Sequence, residues 1–193
     1  MDVICKKKKA SVAPSYVMMF TLVLIFMVVV LYLASVARLM THQHHIDDSL
    51  TDSVLASLVA DDTHYFETDE LEDPPTVRFA NVNNSFSLYK ECMDAAIAET
   101  PGFYYNFKYD EFICYEVDHN TVIITTFTGS GGAKAVTTGR LGVVKTPKGN
   151  IVRETSAYAR VRFDIKNIID GSFITKTKDI YCTLEINETE DVR

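Results

Sequence analysis

Three histidines and two aspartates lie close together in the segment "THQHHIDD", and imidazole and carboxylate groups are common ligands of transition metals. His42 and His45 are three residues apart and would lie on one face of a helix, with His44 and Asp48 nearby. The segment lacks the His-Glu-x-x-His and Glu-x-x-His spacings of known metal motifs, and it directly follows an apolar run, where amphipathic rings are common. We therefore expect no metal and no other cofactor.

The four cysteines form neither a zinc motif nor a redox motif, because no C-x-x-C spacing occurs among Cys5, Cys92, Cys114 and Cys182. Cys114 and Cys182 lie in runs rich in Ile and Tyr, where a thiol often acts as a small apolar group. The pattern leaves open one disulfide among Cys92, Cys114 and Cys182 if this part of the chain faces an oxidising compartment.

The glycine-rich segment Gly129–Lys134, "GSGGAK", has residue types that can bind phosphate, but it lacks the G-x-x-x-x-G-K-[ST] order of a phosphate-binding loop. We interpret it as a flexible hairpin loop. The chain also lacks a G-x-S-x-G motif, and His119 is the only histidine in its strand-rich part. We therefore expect that the protein is not an enzyme.

The histidine segment closely follows a long apolar run near the N-terminus, so the location of this run determines where the histidines lie. No charged residue occurs from Ala10 to Ala37. Since about 20 apolar residues in a helix cross the hydrocarbon layer, residues 16–37 are predicted to form a transmembrane helix after a basic leader at residues 1–15. A cleaved secretory signal is the competing interpretation, but its apolar region is only about 7 to 15 residues long.

Charge predicts the orientation of this helix. Lys6–Lys9 precede the apolar run and only Arg38 follows it closely, so the N-terminus should lie in the cytoplasm and the C-terminal part outside it. The protein should be a single-pass protein of the cell membrane. A net charge of −7, with four lysines already placed in the leader, argues against nucleic acid as a partner.

Beyond Arg38 the sequence turns polar but keeps a helical period. Its apolar positions recur at intervals of four and seven residues: Leu39, Ile46, Leu50, Val54 and Leu58. Between Lys6 and Phe66 there is no Gly, and the only Pro is Pro14, so residues 38–66 are predicted to continue the span as an amphipathic helix, one helix from Tyr16 to about Tyr65. The apolar stripe would pack against the chain's own head or against another subunit.

A linker over residues 67–84 should follow, because Pro74-Pro75 ends a helix. The head, residues 85–193, should begin with a second helix that is capped by Asn84 or Ser85 and stopped by Pro101-Gly102. Its buried face is predicted to carry Leu88, Cys92, Ala95 and Ala96.

The rest of the head is rich in Val, Ile, Thr, Tyr and Phe and predicts four to five antiparallel strands. The predicted strands are "DEFICYEV", "NTVIITTFT", "TGRLGVVKT", "NIVRETSAYARVRFDI" and "DIYCTLEIN". One face should be wet, and the other should lie under the helices and carry Val161, Phe163, Ile180, Leu184 and Ile186. The predicted fold class is α+β, with a long N-terminal helix and a C-terminal antiparallel sheet.

The basic start, the uninterrupted helix and the strand-rich head resemble the pseudopilins of type IV filament systems, in particular the TadE-like family of tight-adherence pilus machines. The resemblance rests on residues 6–66, about a third of the chain. In that family a Gly precedes the cleavage site and Glu-Tyr follows at the fifth and sixth mature positions. Ala10 would stand in place of the Gly, Ser11 would be the new N-terminus, and Ser15-Tyr16 would take the Glu-Tyr positions.

Only Tyr16 matches the family residue, which is consistent with an accessory protein that is not cleaved. The resemblance implies a pilin-like structural or assembly component whose partners are other pilin-like subunits, the membrane assembly machinery and the lipid bilayer. Small side chains at Ala34, Ser35 and Ala37 would let neighbouring helices approach closely. The alternative is a membrane-tethered module that binds or senses an extracytoplasmic ligand, for which we would expect a Gly or Pro hinge before the head.

Overall fold

The computed structural model describes residues 12–69, 76–167 and 171–184. These residues form the elements α1 (Val12–Ser57), α2 (Asp62–Asp69), α3 (Val82–Ala98), β1 (Tyr105–Asp118), β2 (Thr121–Thr128), β3 (Ala133–Arg140), β4 (Ser156–Lys166) and β5 (Phe173–Thr183). The fold is α+β, with a long N-terminal helix and a C-terminal antiparallel sheet, as predicted. The chain divides into two compact units at Gln43, and we call the unit that begins at His44 the head.

The sheet has the strand order β3-β2-β1-β4-β5, and every neighbouring pair is antiparallel. β1 is the central strand of the five and pairs with β2 on one side and β4 on the other. Its register with β4 shifts near Asn106, which has a φ of 49°, and again near Asp110. Such irregularities bend a strand and increase its twist.

The main core of the head lies between one face of the sheet and two helices. Helix α1 contributes Ile46, Leu50 and Val54, and helix α3 contributes Tyr89 and Met93. The sheet contributes alternate residues of three strands, namely Phe112, Cys114, Phe127, Ala157, Ala159, Val161, Phe163 and Ile165. Val161 and Phe163 therefore face the helices as predicted, and Ile180 packs half-buried beside them.

The opposite face of the sheet was predicted to be exposed to solvent, but part of it is covered. Residues 141–155, which connect β3 to β4, place Leu141, Val144 and Val152 over Tyr115 and Tyr158 and create a second, smaller core. Tyr158 and Val161 lie three residues apart on β4, and this odd spacing sends their side chains to opposite faces of the sheet. The rest of this face is polar and carries ion pairs such as Arg160 with Glu111, 3.0 Å apart.

Helix α1 ends at Ser57, so the prediction of one helix to about Tyr65 is wrong. The backbone beyond it pairs with a distant segment: Ala60 forms an antiparallel bridge with Phe79, and the N–H of Asp61 donates to the carbonyl of Arg78 at 2.9 Å. These bonds replace helical ones. The Asp61 carboxylate then accepts from the N–H of His64 at 3.2 Å, which satisfies one of the free donors at the start of α2.

The predicted linker over residues 67–84 is partly a structural element. Phe79 is buried in the main core, and the carbonyl of Val77 accepts a hydrogen bond from the Thr155 hydroxyl. Residues 70–75 lie outside the described part of the chain. The compact head therefore begins at His44 rather than at residue 85, because it includes the end of α1.

Helix α3 begins earlier and buries a different face than predicted. Its N-cap is Asn81, whose side-chain oxygen accepts from the N–H of Asn83 and of Asn84, instead of Asn84 or Ser85 acting as the cap. The buried residues are Ser85, Tyr89 and Met93, whereas the predicted face was Leu88, Cys92, Ala95 and Ala96. Larger aromatic side chains decide the orientation, since the Tyr89 ring stacks on Phe112 with 4.7 Å between centroids.

Two predicted strand positions need correction as well. The segment "TGRLGVVKT" is mostly a loop, and strand β3 begins at Ala133, inside the stretch that was predicted as a loop. Leu184 lies just after β5, where its N–H donates to the carbonyl of Thr155. Ile186 lies outside the described residues.

Candidate functional site

The apolar segment, which we define as Tyr16–Leu33 of α1, exposes all its large apolar side chains. Their exposed fractions range from 45 to 70 %. By length and composition this is the one described helix that could cross a membrane, with a mean hydropathy of 2.9. A continuous apolar surface of this kind is stable only when lipid or apolar protein surrounds it.

Hydroxyl groups in and near the apolar segment are satisfied within the helix. Thr21 donates to the carbonyl of Val17 at 2.8 Å, and Ser35 donates to the carbonyl of Leu31 at 2.9 Å. In hydrocarbon an unsatisfied hydroxyl is costly, so these internal bonds lower the cost of placing the segment in a bilayer.

Of the four residues predicted for processing, the structure describes Ser15 and Tyr16. Ala10 and Ser11 are outside the described residues. Ser15 and Tyr16 are both helical and exposed, and Tyr16 begins the apolar segment.

The small residues predicted for span packing follow the apolar segment. Ala34 and Ala37 are exposed and three residues apart, so they share a face of α1. Ser35 is half-buried and its hydroxyl is used within the helix. Val28 lies on the other side of the helix from Ala37, because nine residues at about 100° each amount to two and a half turns.

The residues of the predicted apolar stripe, Leu39 to Leu58, differ in how deeply they are buried. Ile46, Leu50 and Val54 are at most 1 % exposed and belong to the core of the head, and Leu58 packs half-buried against that core. The sequence left open whether this stripe packs against the chain's own head or another subunit, and for these side chains the partner is the head. Leu39 is 38 % exposed.

The histidine segment does not gather into a metal site. Within residues 12–69, 76–167 and 171–184, no three His, Cys, Asp or Glu side chains are placed to hold a metal ion. His45 instead lies 3.0 Å from the Tyr104 hydroxyl through Nδ1 and stacks on that ring. Burial, together with the charge of Asp47, raises the pKa of Tyr104 to about 12.

The segment "GSGGAK" forms the β2–β3 hairpin turn and the start of β3. Gly129 and Gly132 have positive φ angles of 67° and 63°, which glycine adopts without strain. Gly132 lies against the Phe86 ring of α3, and Lys134 Nζ donates to Asn83 Oδ1 at 3.1 Å. These contacts attach the hairpin to α3 and give the segment a structural role.

The three described cysteines are all free thiols. Cys114 and Cys182 lie opposite the same residue, Ala157, from the two strands that flank β4. Two strand spacings separate them by about 10 Å, which is too far for a disulfide. Burial raises the pKa of both thiols, Cys114 foremost, so neither is activated as a nucleophile.

A polar groove of about 550 Å³ lies between α3, β1 and the β2–β3 turn. Its lining includes Lys90, Asp94, Phe107, Lys108 and Tyr109. Tyr109 donates to the Asp94 carboxylate, and burial together with this bond raises the tyrosine pKa. No pattern in the sequence points to this groove, because its residues come from separate elements that only the folded chain brings together.

The exposed apolar segment and the polar groove are two features of the described residues that can bind another molecule. The first suits lipid or apolar helices, and the second suits a small polar ligand. No protein-family model, no curated protein and no solved structure matches the chain.

Proposed function

We propose that the chain is a membrane-anchored, pilin-like structural or assembly component whose head lies outside the cytoplasm. The observation that carries the proposal is the division of α1. Its apolar segment is uncharged and exposed, whereas Ile46, Leu50 and Val54 of the same helix are buried in the head. One helix thus serves as the anchor and as a core element of the head, an arrangement that the resemblance to TadE-like pseudopilins implies.

The orientation follows from charge. Lys6–Lys9 precede the apolar segment and Arg38 follows it, so the excess of positive charge keeps the N-terminus in the cytoplasm. The acidic remainder of the chain then lies outside.

Association with similar subunits would use the part of α1 that precedes the head. Lipid provides no hydrophobic drive for helices to associate, so close packing at small residues must stabilise the contact. Ala34 and Ala37 are exposed and share a face, whereas the apolar stripe from Ile46 to Val54 is already covered by the head. Contacts with neighbouring subunits are therefore expected around Ala34 and Ala37.

Bulky substitutions test this association. We expect the double variant Ala34→Leu/Ala37→Leu to lose chemical crosslinks to neighbouring subunits in native membranes, because larger side chains hold the helices apart. Leu inserts into membranes at least as well as Ala, so resistance to alkaline extraction should be unchanged. Val28→Leu, on the other side of the helix, is the matched control and should keep its crosslinks. Equal crosslinking in all three proteins would contradict the proposed interface.

The second candidate function is a membrane-tethered ligand-binding or sensing module, and the polar groove favours it. A ligand there would be recognised by Lys90, Lys108 and the Tyr109–Asp94 pair. If Tyr109→Phe abolished binding of a soluble ligand while Ala34→Leu/Ala37→Leu had no effect on any activity, this candidate would replace the first.

A further inference from the structure

The connection between β3 and β4 forms a short two-stranded ribbon on the side of the sheet opposite the main core. Lys145 forms an antiparallel bridge with Ile151, and the N–H of Val152 donates to the carbonyl of Val144 at 3.0 Å. Val144 and Val152 pack into the second core. Because side chains alternate along an extended backbone, Lys145, Ile151 and Arg153 point away from the sheet. All three are exposed, and we call them the ribbon face.

The connection that carries the ribbon face has an excess of positive charge, although the whole chain is acidic. Residues 140–155 contain four basic residues and one acidic residue, Glu154. Of these basic residues only Lys148 forms an ion pair within the described part of the chain, with Asp179 at 3.2 Å. The other three are exposed, so against Glu154 they leave an excess of two positive charges. Two of these three belong to the ribbon face.

Helix α2 carries the opposite charge next to an exposed aromatic ring. Residues 61–73 contain seven acidic residues and neither Lys nor Arg. Asp62 and Phe66 are four residues apart and so share a face of α2, with Glu67 next to Phe66. All three are exposed, Phe66 by 67 %, and neither carboxylate forms an ion pair with another described residue. We call these three residues the α2 face.

Both faces lie near the end of the sheet at which β1 turns into β2. Arg78, whose carbonyl accepts from the N–H of Asp61 just before α2, forms an ion pair with Asp118 at 2.8 Å. The N–H of Leu141, at the start of the β3–β4 connection, donates to the carbonyl of Asn120 in the turn. The two faces therefore lie at about the same level along the strands.

The two faces belong to opposite sides of the head. Phe79 bridges to Ala60 just before α2 and is buried in the main core, between the sheet and the helices. Val152 packs beside Val122, near the start of β2, in the second core on the other side of the sheet. Because the sheet separates them, the ribbon face and the α2 face of one molecule do not cover each other.

We propose that the ribbon face of one copy binds the α2 face of a second copy of this chain. Opposite charges then meet around an apolar contact between Ile151 and Phe66, and charge complementarity of this kind selects the partner surface. Copies anchored in one membrane share one orientation, so surfaces that meet must lie at the same level, as these two do. The contact joins different surfaces of the two copies and can therefore repeat along a row. This inference rests on the proposed function, since it requires copies that lie side by side.

Photocrosslinking from α2 tests the contact in native membranes. A photoreactive phenylalanine analogue replaces Phe66 in the full-length protein, which carries one epitope tag. A second full-length chain without the analogue carries another tag, so an adduct that contains both tags joins two copies. Peptide mapping by mass spectrometry then locates the attachment site in the second copy.

We expect the analogue at position 66 to attach to residues 144–153 of the second copy. The adduct should fall about tenfold or more with Lys145→Glu/Arg153→Glu in the second copy, because like charges then face each other. It should return when the chain with the analogue also carries Asp62→Lys/Glu67→Lys, since the charges are then exchanged. Lys166→Glu/Lys176→Glu makes the same change in net charge at two exposed lysines of β4 and β5, and this matched control should keep the adduct.

The absence of an adduct from position 66, an adduct that maps to another surface, or one that survives the charge reversal would overturn the ribbon contact. The same membranes are probed with a photoreactive residue at Ala37, on the face of α1 that the proposed function uses. Adducts between copies from Ala37 alone would leave the proposed function intact. The absence of adducts from both positions would contradict both the ribbon contact and the association of copies.

Discussion

At the scale of single residues, Leu50 and Leu55 provide a matched pair on one helix. Leu50 is 1 % exposed and packs in the main core, whereas Leu55 is half exposed. We expect Leu50→Ala to lower the free energy of unfolding of the head by about 3 kcal/mol, since it removes buried methyl groups and leaves a cavity. Leu55→Ala should change it by about 0.5 kcal/mol or less. Urea denaturation of both variants measures the difference, and equal losses would show that α1 is not the core element described.

Two glycines of the β2–β3 turn separate backbone strain from side-chain contact. Gly129 and Gly132 both have positive φ, but an added Cβ has open space at Gly129 and would lie 2.6 Å from Phe86 Cε1 at Gly132. Gly129→Ala should cost about 1 kcal/mol from the backbone alone. Gly132→Ala should cost about 1 to 3 kcal/mol more, because the Phe86 ring must move. If both variants had the same melting temperature, the turn would not pack on α3.

At the scale of elements, the end of α1 is part of the head. A fragment of residues 44–193 should unfold cooperatively, because it contains Ile46, Leu50 and Val54 together with the sheet that they cover. A fragment that begins at Thr76 should not, since it exposes the apolar face of the sheet. Circular dichroism during urea titration distinguishes the two fragments. Cooperative unfolding of the shorter fragment would contradict the role assigned to α1.

The elements also show what the sequence can predict. The apolar run and the helical period through Val54 are local signals that predicted helix α1. The β-rich composition predicted an antiparallel sheet but not the bounds of all its strands. The end of α1 has no local signal, because neither Gly nor Pro lies near Ser57. The break depends on pairing between Ala60 and Phe79, which only the tertiary fold brings together.

The face that α3 buries was missed for a similar reason. Its sequence allows two apolar faces, and the stacking of Phe86 on Phe127 and of Tyr89 on Phe112 selects one of them. Among the candidate sites, the apolar segment was fully predictable because it depends on composition alone. The polar groove was not, because it depends on how α3 meets β1.

At the scale of the whole molecule, buried tyrosines predict the response of the head to alkali. Burial and neighbouring carboxylates raise the pKa of Tyr104 and Tyr158 from 10.0 to about 12. Above pH 10 these groups ionise more readily in the unfolded chain than in the folded one. Their contribution to stability is therefore complete below pH 10 and should be lost as the pH rises through 12.

The measurement is the urea midpoint of the 44–193 fragment at increasing pH, with tyrosinate absorbance recorded in parallel. We expect the midpoint to fall above pH 10, and tyrosinate to form together with unfolding. Tyr158→Phe should show a smaller fall, because one of the buried hydroxyls is gone. A midpoint that stays constant while all tyrosines ionise near pH 10 would contradict the burial of these rings.

Photocrosslinking in native membranes tests the central claim most directly, namely that this chain is anchored by its apolar segment and associates with similar subunits around Ala34 and Ala37, just after that segment. A photoreactive residue is introduced into the full-length protein at Ala37, at Val28 on the other side of the helix, or at Leu55 on the surface of the head. The account predicts protein adducts from Ala37, adducts mainly with lipid from Val28, and none with membrane-embedded subunits from Leu55. Recovery of the protein outside the membrane fraction, or the absence of any protein adduct at Ala37 while the head captures a soluble ligand, would contradict it.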